Sequence, residues 1–153
     1  MIGFLTTEES LAVLAENIFG RIGCNDGFNT YVYPSNYVYD GNHILCHSLL
    51  GSKILVMREN RRICLLVDVL KDNNNWKSVM VLGTYEELTD ERSRYNAMKV
   101  FNDRLLHLKI NEHSIPHETA NAFTRWNYPG SERPVFYRIL IDEITGRFEK
   151  QPA

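Results

Sequence analysis

The sequence predicts a mainly β protein with flanking helices, in which six antiparallel strands close a small barrel. Two β-rich runs end in Asp-Gly, at residues 26–27 and 40–41, and two longer β-rich runs are joined only by the turn at 72–75. Asp-Gly between such runs is a strong hairpin signal, because the turn needs residues that tolerate positive φ. Connections this short force antiparallel pairing, since parallel strands need a crossover of a dozen or more residues.

The first half of the chain begins with a helix and continues with three strands. Thr6 and Glu9 fit a capping box, and apolar residues then recur at helical spacing as far as Ile18. Pro34 predicts an edge, a bulge or a break in the second strand, because proline cannot donate to a ladder. A short helix follows, with Ser52 as its expected N-cap. The three strands are FGRIGCND, FNTYVYPSNYVYD and HILCHS, and the short helix is KILVMREN.

The second half holds two long strands, a helix and a last strand. Gly83 predicts a bend or bulge in the second long strand. Thr89 or Asp90 caps the helix. We expect residues 107–134, which contain three prolines, to be irregular, and Gly146 to lead out of the last strand into a short tail. The strands are RICLLVDVL, WKSVMVLGTYEEL and VFYRILIDEI.

Composition excludes several classes of protein. A chain of 153 residues suits a single domain spanning 1–153, and 44% hydrophobic residues exclude long disorder. The net charge of −2 argues against a nucleic-acid partner. No apolar stretch approaches the roughly 20 residues of a membrane span, and the acidic start MIGFLTTEESLAVLAEN resembles no targeting peptide. We therefore expect a cytoplasmic protein without a membrane partner.

The cysteines and the clustered histidines are weak candidates for chemistry. Cys24, Cys46 and Cys64 are an odd, sparse set in apolar runs, which predicts buried thiols in a reducing compartment. Three histidines lie close together beside Glu112 and Glu118, but Pro116 disrupts helical spacing between the last two. We expect a solvated loop there and no metal site. The histidines are His107, His113 and His117.

The most informative segment is HILCHSLLGSKIL, in which a strand ends at Ser48 and a helix begins near Lys53. A helix N-terminus presents unpaired N–H groups and a partial positive charge. Together with the hydroxyls of Ser48 and Ser52 and the ammonium of Lys53, it would make a phosphate cradle. A capped helix with a solvated lysine is the alternative interpretation.

Several motifs in a fixed order resemble the FMN-binding split-barrel family, which includes the pyridoxamine-phosphate oxidases. The nitroimidazole-resistance subgroup looks most similar, and the resemblance covers about residues 5–90 and 135–148. The tail from Arg138 to Arg147 also looks like this subgroup. The motif residues are Pro34, Tyr37, Tyr39, Asp40, Gly41, His47, Ser48, Gly51, Lys53, Val67, Asp68, Asn75, Trp76, Lys77, Ser78, Val79, Val81 and Gly83.

The resemblance implies a split-barrel homodimer with two FMN sites at the subunit interface. By position, a first set of residues would hold the FMN phosphate, a second would line the ribityl chain and the ring, and a third would approach from the partner subunit. Because reduced flavin is anionic at physiological pH, Lys77 would favour reduction. The first set is Ser48, Ser52 and Lys53, the second is Asn36, Tyr37 and His47, and the third is Trp76, Lys77 and Ser78.

Two classes of function remain open from the sequence. One is a flavin-dependent oxidoreductase that reduces a small organic acceptor, such as a nitro compound, with NADH or NADPH as the candidate reductant. The other is a non-catalytic module that stores or senses FMN or haem. Oxidation of pyridoxamine phosphate ranks below both, because IDEITGRFEKQPA lacks the basic C-terminal segment that those oxidases use for the substrate phosphate.

Overall fold

The computed structural model describes residues 1–111 and 134–152, with side chains described for 1–107 and 134–152. The described residues form eight strands and three helices. In chain order these are β1 (Ile2–Leu5), α1 (Thr7–Glu16), β2 (Phe19–Asn25), β3 (Thr30–Asn36), β4 (Val38–Tyr39), β5 (His43–Ser48), α2 (Ser52–Glu59), β6 (Arg62–Asp72), β7 (Asn75–Leu88), α3 (Glu91–Asn111) and β8 (Val135–Glu149).

All the strands belong to one antiparallel sheet that curls into a split barrel. Its order is β3-β2-β6-β7-β8-β5-β4, and β1 pairs with the end of β8. The strands β3 and β4 lie at opposite edges, yet only Tyr37 separates them along the chain, so the two edges must approach each other. The predicted fold class is confirmed. The predicted six strands become eight because β1 was missed and the second predicted strand breaks at Tyr37.

The predicted hairpin turns form as the sequence indicates. Gly27 and Gly41 both have φ of +99°, which a residue with a side chain rarely adopts. Each turn is closed by the preceding aspartate: Asp26 accepts from two backbone N–H groups, and so does Asp40. Pro34 lies on β3, whose only described partner strand is β2, so the predicted edge position is confirmed.

Helix α1 is capped at both ends. Thr6 Oγ1 accepts from the Glu9 N–H at 3.1 Å and Glu9 Oε1 accepts from the Thr6 N–H at 2.9 Å, which confirms the predicted capping box. Three carbonyls of the last turn would otherwise lack partners. They accept from the side chains of Asn17, Tyr37 and Arg104, at 2.8, 2.8 and 2.9 Å.

Two predicted helix boundaries need correction. The N-cap of α2 is Gly51 and not Ser52, which is the first helical residue, and no side chain caps this end. Asp90 caps α3, as expected, by accepting from the Ser93 N–H at 2.9 Å. That helix continues to Asn111, so residues 107–111 are helical and not irregular.

The last strand is longer than predicted. It continues through Gly146 to Glu149, because β1 and β7 pair with its two edges there. Gly146 packs under α1: a Cβ at this position would collide with the Ser10 hydroxyl and with Leu5. A register shift occurs opposite Gly83, as predicted, but the extra residue is Asp142 of β8, so the bulge is in β8 and not in the strand that contains Gly83.

The two faces of the sheet are covered differently. The inner face carries the main core, against which Leu14 of α1 and Ile54 and Met57 of α2 are fully buried. On the outer face, α3 forms a second cluster in which Phe101 packs near Phe136 and Leu88. In the part of the chain that the structure describes, no helix is both long and apolar enough to cross a bilayer.

Candidate functional site

The predicted strand–loop–helix arrangement is present between β5 and α2. Ser48 ends the strand and is half-buried, and its hydroxyl donates to the Leu49 carbonyl at 3.0 Å. Ser52 is exposed at the start of α2, and the Lys53 ammonium lies 5.7 Å from the centre of the Tyr33 ring. Because no side chain caps α2, its first N–H groups remain available. This end of the molecule can therefore bind an anion.

His47 lies on the other face of β5 from Ser48, because side chains alternate along a strand. Its ring contacts Phe101 edge-on, with centroids 4.8 Å apart, and lies 5.7 Å from the Phe136 ring. Burial of the ring, together with the smaller effect of the nearby Lys53 charge, lowers the pKa of His47 to about 4. At neutral pH the imidazole is therefore uncharged.

Asn36 and Tyr37 are adjacent in sequence but have different environments. Asn36 is exposed at the end of β3. Tyr37 is fully buried, and its hydroxyl donates to the Leu14 carbonyl. The same burial raises the pKa of Tyr37. Tyr37 thus has no exposed surface for a ligand, and its observed role is to join the barrel core to the end of α1.

The three consecutive candidates on β7 do not share one face. Trp76 and Ser78 point to the outer face, whereas Lys77 points to the inner face with Val79, a core residue. Lys77 approaches α1: the pKa of Glu9 is lowered mainly by hydrogen bonds from Thr6 and also by the Lys77 charge. The sequence analysis had placed all three side chains at one flat ligand. Because they alternate between the two faces, they cannot all contact such a ligand.

The candidates fall into two groups at opposite ends of the sheet. His47 pairs with Phe136, which pairs with Leu88 at the far end of β7. Trp76 stands at the near end of the same strand. At about 3.3 Å per residue, Trp76 and Leu88 are roughly 40 Å apart along β7. A single chain does not bring the two groups together.

Around the Trp76 group and towards the middle of β7, the outer face exposes large apolar side chains. Phe4 is 80% exposed, Leu70 68% and Leu82 47%. We call this surface the open face. Its residues share one side of the sheet for two reasons. Some pair directly with each other across β6, β7, β8 and β1, and others are an even number of residues apart along the same strand. The open face comprises Phe4, Leu70, Trp76, Ser78, Leu82 and Arg147.

A shallow cavity of about 760 Å³ lies on the same side of the sheet. Cys64, Leu82 and Thr84 line it, together with Asp142 and Glu143. The Thr84 hydroxyl donates to Asp142 Oδ2 at 2.7 Å, which fixes the carboxylate at the bulge in β8. The volume suits a small organic molecule.

Two residues near the Trp76 group were missed from the sequence. Glu149 Oε2 accepts from the Trp76 indole N–H at 2.9 Å, and Arg147 lies directly opposite Ser78. Both follow Gly146, where the sequence analysis had ended the strand. The segment ITGRFE contained a signal for a continued strand, because apolar Phe148 stands between polar Arg147 and polar Glu149.

The remaining candidates are placed as follows. Cys24 and Cys46 are buried and Cys64 is half-buried. Burial raises the pKa of Cys24, and it raises that of Cys46 to about 12. His107 is exposed on α3, whereas the predicted loop containing His113 and His117 lies outside the described residues.

Comparison with known sequences shows the family. The profile described as pyridoxamine 5'-phosphate oxidase matches residues 6–148, almost the whole chain. The chain belongs to the pyridoxamine 5'-phosphate oxidase family. The resemblance found in the sequence motifs is thereby confirmed.

Solved structures agree with this assignment. A FAD-binding protein from Mesorhizobium loti is 31% identical, with a TM-score of 0.74, over 99% of this chain and 98% of that one. A flavocytochrome from Azotobacter vinelandii is 22% identical, with a TM-score of 0.72, over 99% of this chain and 70% of that one. A Bacteroides thetaiotaomicron protein, provisionally named a 5-nitroimidazole antibiotic resistance protein, is 15% identical, with a TM-score of 0.68, over 97% and 87%. The last two similarities concern the fold alone.

Proposed function

We propose that this chain is a flavoprotein that binds FMN between two subunits and reduces a small organic acceptor. The observation that carries the proposal is the division of the site. One group, around Ser48 and Lys53, suits a phosphate, and the other, around Trp76 and Ser78, suits a planar ring. A homodimer that joins the two groups across the open face would complete two equivalent sites.

The phosphate end of the proposed site fits the group chemically. The uncapped N-terminus of α2 supplies backbone donors and a partial positive charge. The Ser52 hydroxyl and the Lys53 ammonium add a donor and a full charge at the same end. A terminal phosphate, as in FMN, is the simplest anion for this arrangement. The Mesorhizobium loti relative is described as a FAD-binding protein, which makes FAD the alternative flavin.

The ring end fits a planar aromatic ligand. Trp76 is half-buried and its indole is held by Glu149, so it offers a fixed flat surface. Ser78 and Asn36 offer hydrogen-bonding groups, and the His47 ring is uncharged at neutral pH. Tyr37, which is fully buried, has no exposed surface to offer the ring.

A bound flavin supplies hydride and electron transfer between a nicotinamide and an acceptor. The residues of this chain then need only to bind, orient and desolvate. The apolar open face would exclude water once a second subunit covers it, and the cavity beside Thr84 and Asp142 would admit the acceptor. A nitro compound is our first choice of acceptor. NADH or NADPH as reductant and a cytoplasmic location stay predictions.

A non-catalytic FMN or haem module is the competing function. The test uses purified protein, as isolated and after incubation with FMN, FAD or haem. We expect a yellow protein that releases FMN on denaturation, that NADH or NADPH bleaches, and whose colour a nitroaromatic compound restores. Colour that neither nicotinamide bleaches would favour the storage function, and a Soret band without flavin would favour haem. Turnover of pyridoxamine phosphate, measured in parallel, would restore vitamin-B6 oxidation as the activity.

A further inference from the structure

The sequence analysis had expected Lys77 to supply a positive charge beside Trp76 and Ser78. In the structure, Arg147 is the residue that lies beside Ser78 on the outer face. It pairs with Ser78 on one side and with Phe4 on the other, so the three side chains form one row across the open face. Lys77, by contrast, points to the inner face. Arg147 is exposed, and it is therefore the cation that stands beside Ser78 on the outer side.

Arg147 has no ion-pair partner among the described residues. Two carboxylates on this face have contacts of their own: Asp68 forms an ion pair with Arg21 at 3.3 Å, and Glu149 accepts a hydrogen bond from Trp76 at 2.9 Å. The Arg147 guanidinium lies instead over the Phe4 ring, 5.8 Å from the centroid. A planar cation beside an exposed aromatic ring suits a flat ligand that carries negative charge.

The backbone at Arg147 is held in place from the opposite side. Gly146 is buried directly under α1, where any side chain would collide with Ser10 and Leu5. This close packing fixes the path of β8 just before Arg147, and β1 and β7 pair with Arg147 on both sides. The Arg147 backbone, from which the guanidinium extends, is thus positioned by the barrel and not by a loop.

We propose that Arg147 is the residue through which the second subunit places a positive charge against the flavin ring. This inference rests on the proposed function. Reduction adds negative charge at the pyrimidine edge of the ring, and a delocalised guanidinium can donate there with little reorganisation. Arg147 would therefore bind the reduced flavin more tightly than the oxidised one and raise its reduction potential.

The test measures the flavin reduction potential and the dissociation constant of oxidised FMN in three variants of the dimer. For Arg147→Met we expect the preference for reduced over oxidised flavin to fall about tenfold, which lowers the potential by about 30 mV for a two-electron couple. Arg147→Lys keeps the charge and should recover most of the loss. Lys77→Met, on the opposite face, is the matched control and should leave the potential unchanged.

Each other result would overturn the proposal. An unchanged potential in flavin-loaded Arg147→Met would remove the residue from the ring, and a shift in Lys77→Met alone would return the role to that lysine. Equal weakening of oxidised and reduced flavin would assign Arg147 to the phosphate. Loss of the dimer in both Arg147 variants would make it an interface residue. Absence of flavin from the parent protein would overturn the proposed function as well.

Discussion

His47 and Trp76 lie on the same face of one sheet, but at opposite ends of it. His47 is connected through Phe136 to Leu88, the last residue of β7, and Trp76 is the second residue of that strand. Both were expected at one flavin. They can meet at one ligand only if each comes from a different subunit, so the proposed site depends on a dimer.

We predict a dimer that the open face holds together. Sedimentation should give a mass near twice 17.8 kDa, with or without flavin. Leu82→Glu should produce monomers that lose flavin binding, because a charge would be buried in an apolar interface. Phe28→Glu is the control: Phe28 is also an exposed apolar residue, at 93%, but lies in the turn between β2 and β3, outside the open face. A parent protein that is monomeric and still binds flavin would contradict the interface.

The phosphate cradle predicts a selective effect of Lys53. A charge-assisted contact is worth roughly 1.5–3 kcal/mol, so Lys53→Ala should weaken FMN binding by about one to two decades. Riboflavin, which lacks the phosphate, should bind both proteins almost equally. Lys99→Ala, an exposed lysine of α3, serves as the control. Fluorescence titration measures all three, and unaltered FMN affinity in Lys53→Ala would show that the phosphate lies elsewhere.

The cysteines should not take part in chemistry. Cys24 and Cys46 are buried with raised pKa values, so both are protonated at pH 8 and shielded from reagents. Iodoacetamide should modify at most Cys64 in the native protein and all three after denaturation, as read by mass spectrometry. Replacing all three by alanine should leave turnover per bound flavin largely unchanged. Rapid modification of Cys24 or Cys46 in the folded protein would argue for a reactive thiol.

His47 should make the protein sensitive to acid. Its pKa in the folded state is about 4, below the usual 6.5, so the unfolded chain takes up a proton first as the pH falls. Above about pH 6.5 the ring is neutral in both states, and its full contribution to the free energy of unfolding is present. This contribution is lost as the pH falls from about 6.5 to about 4. The loss can reach about 3 kcal/mol.

Denaturant unfolding at pH 7 and pH 4 measures this effect against His47→Leu. We expect the free energy of unfolding of the parent to fall further than that of the variant. The two proteins should differ in slope with pH, whatever their difference at neutral pH. Equal slopes would mean that the surroundings of His47 do not disfavour its charged form.

Features that depend on residues close together in the sequence were predicted correctly. The turns at Asp26 and Asp40 and the cap at Thr6 each depend on residues close together in the chain. The predictions failed where distant segments decide the outcome. The glycine at 146 predicts a strand end when only its neighbours in the sequence are considered. In the structure β1 pairs with Gly146 and α1 covers it, so the strand continues.

The candidate site shows the same division. The order of Ser48, Ser52 and Lys53 around a strand end was visible in the sequence, because it is local. The opposition of Ser78 and Arg147 depends on the register of β7 against β8, which the bulge near Gly83 sets. The inward direction of Lys77 was available from simple alternation with Val79, but the family motif had grouped it with its neighbours.

Mixing two defective variants tests most directly whether flavin lies between subunits. Lys53→Glu should disable the phosphate half of the site, and Ser78→Trp the ring half, so neither homodimer should hold flavin. After joint unfolding and refolding, each mixed dimer would contain one intact site. Random pairing then predicts about one FMN per four chains, against about one per chain in the parent. No recovery in the mixture, with dimers present by sedimentation, would contradict a site built from two subunits.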